Sequence, residues 1–325
     1  MLEGFAMQAP THFFGVDVAK AELVCARYGY PAVEAFQNQS KAVDHWLASL
    51  PEGSAIAVES TGGLERLLVD RAVARGIPIF LVDARKTRNF AIATGRRGKT
   101  DPIDAASLAH FLAVMHARLH AYRPPTAEQQ QIDQLLRTHA QLVKFQTSLR
   151  KSLAGLKDLS KDAQRVITGV AGMLAKIQGR LQQLRRSQPE LDELTTRLDE
   201  LPGVGAHVGI ALGNLFQRVP FPHADQAVAF VGLDPRPRDS GKHRGRRKLS
   251  KQGPAEMRRL LFLAGMAARK TKIFRGYYEA CIQRGLATTE AIIILARRIL
   301  RIAWALANTG QHFDPSKLSP TMQKP

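Results

Sequence analysis

The adjacent prolines Pro124 and Pro125 split the chain into two kinds of sequence that do not share a period. Upstream, apolar runs of strand length recur at 12–20, 22–28, 31–37, 54–60 and 77–84, separated by Gly29, Pro31, Gly53 and Gly76. Helical patterns fall between them at 41–50, from Gly62-Gly63 to about Gly76, and from Asp101 to about His116. The 77–84 run is apolar throughout, which predicts a buried strand, and a basic connection follows it. Downstream of the prolines only helical spacing remains.

The upstream order is three strands, helix, strand, helix, strand, helix. That is the order of a ribonuclease-H-like α/β fold, with Asp17 on the first strand and Glu59 closing the fourth. Downstream, Leu135, Leu142, Leu149 and Leu156 recur every seven residues, and Ile167, Val170, Leu174, Ile177, Leu181 and Leu184 step by three and four. Two helices of an ordinary bundle would explain both seams. A coiled-coil or dimerisation arm is the stronger expectation, because little nearby sequence could cover them. Further helices are expected at 191–200, 206–216, 223–232, 255–270, 274–284 and 288–308. The expected division is therefore an α/β domain at 1–122, coiled-coil helices at 123–190, an all-α domain at 191–310 and a flexible tail at 311–325.

Charge narrows the partners. Forty-seven Lys and Arg oppose 28 acids, a formal net charge of +19, which favours a polyanion such as nucleic acid. No apolar run approaches the ~20 residues of a spanning helix. Met1 to Pro10 carries Glu3 and no basic start, unlike a secretory signal. Cys25 and Cys281 are too few for a disulfide framework or a zinc site. A cytosolic, soluble protein is expected.

Against that basic background four acids stand out: Asp17, Glu59, Asp101 and Asp104. Two divalent ions can clamp the attacking and leaving oxygens of a phosphodiester, and hard ions such as Mg²⁺ take carboxylate oxygens from several elements. Asp101 and Asp104 are three apart on one helix face. Asp101 precedes Pro102, so it could instead be only a helix cap. Asp17, between Val16 and Val18, is poorly placed as a core residue. Together the four predict a metal site for Mg²⁺ or Mn²⁺.

Cations surround two further regions. Arg85, Lys86, Arg88, Arg96, Arg97 and Lys99 lie between Asp83 and Asp101 without an intervening acid, and are expected to grip phosphate. Leu201-Pro202-Gly203-Val204-Gly205 resembles the turn of a helix-hairpin-helix, whose backbone amides hold DNA without reading sequence; a plain interhelical turn is the alternative. Finally, Lys242, Arg244, Arg246, Arg247, Lys248 and Lys251 follow Ser240 in a glycine-flanked loop. From these residues alone Ser240 is either a phosphate-binding or turn-capping hydroxyl, or a nucleophile activated by nearby positive charge.

The four acids, the Leu-Pro-Gly-Val-Gly turn and the block from Gly232-Leu233-Asp234-Pro235 through Ser240-Gly241-Lys242 to Leu249-Ser250-Lys251-Gln252-Gly253 together resemble the insertion-sequence-110 family of transposases, DEDD recombinases related to Piv-type invertases. The resemblance runs from about residue 12 to about 308. It implies a RuvC-like N-terminal domain and a C-terminal transposase domain joined by a coiled coil. Asp17, Glu59, Asp101 and Asp104 match the family's metal-binding acids, and Ser240 its catalytic serine. It further implies a covalent phosphoserine link to DNA, a structured guide (bridge) RNA that pairs with donor and target DNA, and dimers meeting in a tetramer. Pro254 after Gly253, and Met257-Arg258 where the family has Leu-Arg, depart from the pattern.

The expectation is an RNA-guided DNA recombinase of a bacterial insertion sequence, working in the cytoplasm on the nucleoid. Two alternatives remain open from sequence: a junction-resolving nuclease using metal-activated water, and a non-catalytic nucleic-acid-binding protein.

Overall fold

Five strands form one mixed sheet in the computed structural model, which describes residues 9–318 apart from 61, 96, 97, 99, 156–158 and 237–246. The chain falls into two compact units, Met1–Pro124 and Pro125–Pro325.

The first unit runs β1 (His12–Val18), β2 (Glu22–Arg27), β3 (Val33–Gln37), α1 (Ser40–Ser49), β4 (Ser54–Glu59), α2 (Arg66–Ala74), β5 (Ile79–Val82), α3 (Ala84–Ala93) and α4 (Asp101–Met115). The sheet order is β3-β2-β1-β4-β5. β1 to β3 form an antiparallel meander, whereas β1–β4 and β4–β5 pair in parallel through helical crossovers. Side-chain alternation splits the core between the two faces. Phe14, Val16, Ile56 and Val58 pack with α1 and α2 residues such as Trp46 and Leu68, while Ala55, Ala57, Phe80 and Val82 pack beneath Leu108 and Leu112 of α4. This is a mixed α/β arrangement that fits a ribonuclease-H-like domain.

Two expectations are corrected here. β5 is shorter than 77–84, and Leu81 is 37% exposed at the sheet edge, so the run is not buried throughout. The basic connection after β5 is helical over Ala84–Ala93. Asp83 caps it, its Oδ1 accepting from the backbone amides of Arg85 and Lys86 at 3.0 and 3.3 Å.

The second unit is mostly helical: α5 (Ala127–Leu153), α6 (Ser160–Arg186), α7 (Pro189–Asp199), α8 (Ala206–Arg218), α9 (Ala224–Phe230), a ribbon of β6 (Pro235–Arg236) and β7 (Lys248–Leu249), then α10 (Ala255–Ala268), α11 (Lys272–Gln283) and α12 (Thr288–Thr309). Thr126 and Gln129 form a capping box that starts α5 directly after the prolines. The seam differs from the leucine heptad. Ile132, Leu136 and Ala140 are the buried residues of α5, while Leu135 and Leu142 are only partly covered and Leu156 lies outside the described residues. On α6, burial is confined to Ile177, Leu181 and Leu184, which join one core with α7, α8, α10 and α12. Among the described residues no helix is long and apolar enough to cross a membrane.

Candidate active site

Asp17 owes its position to Gly15, two residues earlier on the same face of β1. A Cβ on Gly15 would collide with the carbonyl of Ala105 and the amide of Ala109, so only glycine lets α4 lie directly on the strand. Asp101 is one turn before Ala105 on that helix. The close approach therefore brings the helix N-terminus, with Asp101 and Asp104, towards Asp17. Thr100, not Asp101, is the N-cap residue; Asp101 begins the helix with Pro102 behind it. That removes the capping explanation for Asp101.

Glu59 arrives by strand register. Val16 pairs with Val58 across the parallel β1–β4 ladder, so Asp17 and Glu59 each stand one step further on. Adjacent strands lie about 4.8 Å apart, which makes these two acids neighbours. The Thr87 hydroxyl of α3 donates to Glu59 Oε1, and Thr87 is only 3% exposed. On the loop after β4, Glu65 is also buried, accepting from the Gly63 amide at 2.9 Å and from Ser60 Oγ at 3.3 Å.

Asp17 also feels the charge of the other acids. Burial first, then the negative charges of Asp101 and Asp104 and more weakly Glu59, hold the Asp17 carboxyl above the usual carboxylate range; a hydrogen bond from the Val18 backbone opposes them. The donor set is all carboxylate oxygen, which suits a hard divalent cation. Among the described residues, no three His, Cys, Asp or Glu side chains are grouped tightly enough to hold a metal ion as they stand. Asp101, Asp104 and Glu59 each act against ionisation of Asp17, and a cation bound beside Asp17 would relieve that repulsion.

Of the upstream cations, Arg85, Lys86 and Arg88 are exposed on α3, the helix that braces Glu59. Arg96, Arg97 and Lys99 lie outside the described residues.

In the second unit, Gly203 and Gly205 form the α7–α8 connection. Gly203 has φ +93° and packs against Ala264 and Ala268 of α10, so that face is covered; Gly205 caps α8 and faces open space. Ser240, Lys242, Arg244 and Arg246 lie outside the described residues, but the base of their segment is well defined. β6 and β7 pair Pro235 with Leu249 and Arg236 with Lys248. Ser250 donates through its amide to the Asp234 carbonyl at 3.0 Å and through its hydroxyl to the Asp234 carboxylate. Gly232 approaches the Gln252 backbone, and Gly253 the Phe230 carbonyl, more closely than any Cβ would permit. Arg258 then donates to the carbonyls of Val231 and Gly253 at 3.1 and 2.9 Å. Lys248 lies on the returning strand, flanked in sequence by Arg247 and by Lys251, which has φ +53°.

Thr87, Glu65 and Arg258 were missed as site-supporting residues from sequence. For Thr87 the one sequence signal was Asp83 as a possible helix cap, since α3 carries no apolar period. Nothing local pointed to Arg258, whose partners are backbone carbonyls distant in sequence.

Comparison with known proteins agrees with this layout. Residues 14–159 match a DEDD transposase family model described as "Transposase", and residues 195–279 match one described as "Transposase IS116/IS110/IS902 family". The chain is 24% identical over 270 residues to the pilin gene-inverting protein of Moraxella bovis, covering 80% of this chain and 81% of that one. It is 24% identical over 299 residues to the transposase for insertion sequence element IS1111A of Coxiella burnetii, covering 80% and 79%.

Proposed function

The chain belongs to the IS110 family of transposases, DNA-processing enzymes of transposition and recombination, and on that premise we propose a serine-type strand exchange supported by divalent metal. The observation that supports the proposal is the placement of Asp17 and Glu59 one step past a paired position on neighbouring strands, with Asp101 and Asp104 in the first turn of the helix packed on β1. These four would hold the divalent cation that a DEDD domain implies, here Mg²⁺ or Mn²⁺. When bound, that ion supplies Lewis-acid stabilisation of charge on the scissile phosphate.

Ser240 is the nucleophile in this reading. Its Oγ loses a proton and forms an ester bond to phosphorus, and the P–O bond to the neighbouring sugar breaks to leave a free hydroxyl. A sugar hydroxyl from the exchanged strand then attacks the phosphoserine and releases Ser240. The number of ester bonds is unchanged at each step, so no external energy source is needed. The ribbon pinned by Asp234, Ser250 and Arg258 holds both ends of the serine segment. Arg85, Lys86, Arg88, Arg96, Arg97 and Lys99, together with Lys242, Arg244, Arg246, Arg247, Lys248 and Lys251, neutralise nucleic-acid phosphates, and the hairpin-like turn of Gly203 and Gly205 offers backbone amides to the same kind of partner. A structured guide RNA selects donor and target DNA. The RuvC-like domain (1–122), the helical arm (123–190), the transposase domain (191–310) and the tail (311–325) divide the labour, and the arm pairs protomers into dimers that meet as a tetramer on the bacterial nucleoid.

Support for pairing comes from the α5–α6 arm, where Phe145, Val166 and Met173 are each at least half exposed. The test is adduct trapping on nicked DNA. Wild type forms a protein–DNA ester that is absent from Ser240→Ala and from Asp17→Ala. Hydrolysed ends without an adduct, with cleavage surviving in Ser240→Ala, point instead to a nuclease using water.

A further inference from the structure

The proposed strand exchange makes no use of arginines at the end of α10 and on α12, which pack against tyrosines of α11. Arg269, at the C-terminus of α10, lies 5.5 Å from the ring centre of Tyr278 and donates to its hydroxyl at 3.3 Å. Arg298 of α12 lies 5.0 Å from the ring centre of Tyr277. Arg297, beside it, is held below the ordinary arginine range by burial and then by the positive charge of Arg301, with Tyr277 opposing. The Nε atoms of Arg269, Arg297 and Arg298 are all shielded from solvent and lack a hydrogen-bond partner. No carboxylate among the described residues pairs with any of the three. Arg301, by contrast, is ion-paired with Asp225 at 2.7 Å.

Three half-buried guanidinium groups without a counter-ion are costly to keep in the free protein. Their stems are fixed by packing and by two aromatic rings, so the planar forks are oriented before any ligand arrives. Such forks match phosphate oxygens in pairs. We propose that Arg297 and Arg298, adjacent on α12 and both beside Tyr277, form a phosphate-binding site that grips a nucleic-acid backbone, separate in residues and elements from the basic block at 242–251. The proposal rests on the chain being a nucleic-acid enzyme, but on none of its catalytic chemistry.

The experiment measures binding as a function of salt in an Asp17→Ala background, so strand exchange cannot contribute. The probes are a duplex DNA and a single-stranded RNA. Arg297→Gln and Arg298→Gln each flatten the log K against log salt slope by about 0.9 on duplex DNA or about 0.7 on the single strand. Affinity at low salt falls roughly tenfold for each. Arg298→Lys keeps the charge and so retains the slope. The probe that responds identifies which strand type is held. Unchanged slopes in both Gln variants on both probes, or an equal loss in Arg298→Lys, overturn the proposal. Normal binding by a chain that forms no serine adduct would sink the catalytic reading and leave this one standing.

Discussion

Asp17 sets a residue-scale conflict between stability and activity. Its carboxyl is held above the usual range by burial and by Asp101, Asp104 and Glu59, so its ionised form weakens the metal-free fold at neutral pH. Asp17→Asn is therefore expected to melt a few degrees higher than wild type in chelator, and to lose the rise that wild type shows on adding Mg²⁺. Strand exchange should fall at least about a hundredfold in the same variant. Thermal scans with and without metal check the first part, and a recombination assay the second. A second titration lies in the helical unit. The His207 ring centre lies 4.2 Å from that of His139, with the rings tilted by 38°, and both His207 ring nitrogens are buried without a hydrogen-bond partner. Burial first, then His139 and Arg259, with Glu256 opposing, push its pKa down to about 4. The unfolded chain takes up this proton near pH 6.5, the folded one only near 4. Between those values the unfolded state binds more protons, so stability falls as pH drops from about 6.5 to about 4. The loss is at most about 3 kcal/mol, reduced by solvent screening. Urea midpoints across that range should flatten in His207→Gln.

At the scale of elements, α4 on β1 and α3 on β4 position the acids. Gly15→Ala forces α4 away from the sheet, an overpacking cost of about 1–3 kcal/mol that also separates Asp101 and Asp104 from Asp17. Thr87→Val removes the hydrogen bond that orients Glu59. It is expected to raise the metal concentration needed for activity about 10–100-fold, with Thr87→Ser restoring it; a metal titration of strand exchange reads this directly. The upstream strands were legible because Val, Ile and Phe runs are cut by Gly29, Pro31, Gly53 and Gly76 at most of their boundaries. The α3 helix was not, since Thr87 is its only buried residue and no apolar period shows through the basic sequence. The buried seam of α5 is not the leucine heptad: in packing against α6 and α8 the helix buries Ile132, Leu136 and Ala140, and leaves Leu135 and Leu142 partly covered. Among site residues, Asp17 and Glu59 could be read from strand order, and Asp101 with Asp104 from helix spacing. Ser240 was legible as a nucleophile only through family resemblance, because a serine among cations fits several roles.

For the whole molecule, the account joins a carboxylate-bearing α/β unit and a helical unit in one recombinase chain. Its self-association is expected to depend on the arm. Phe145→Glu with Met173→Glu should shift sedimentation towards monomer while leaving the helical content unchanged, since both side chains are half exposed in the single chain. The central claim, that Asp17, Glu59, Asp101 and Asp104 act as one cation site, is tested most directly by anomalous diffraction from manganese in crystals of the protein with DNA. The account predicts a peak about 2.0–2.2 Å from an Asp17 carboxylate oxygen, shared with at least one of the other three acids, and its loss in Asp17→Asn. A manganese peak elsewhere, with the Asp17 carboxylate turned from the other acids, would contradict it.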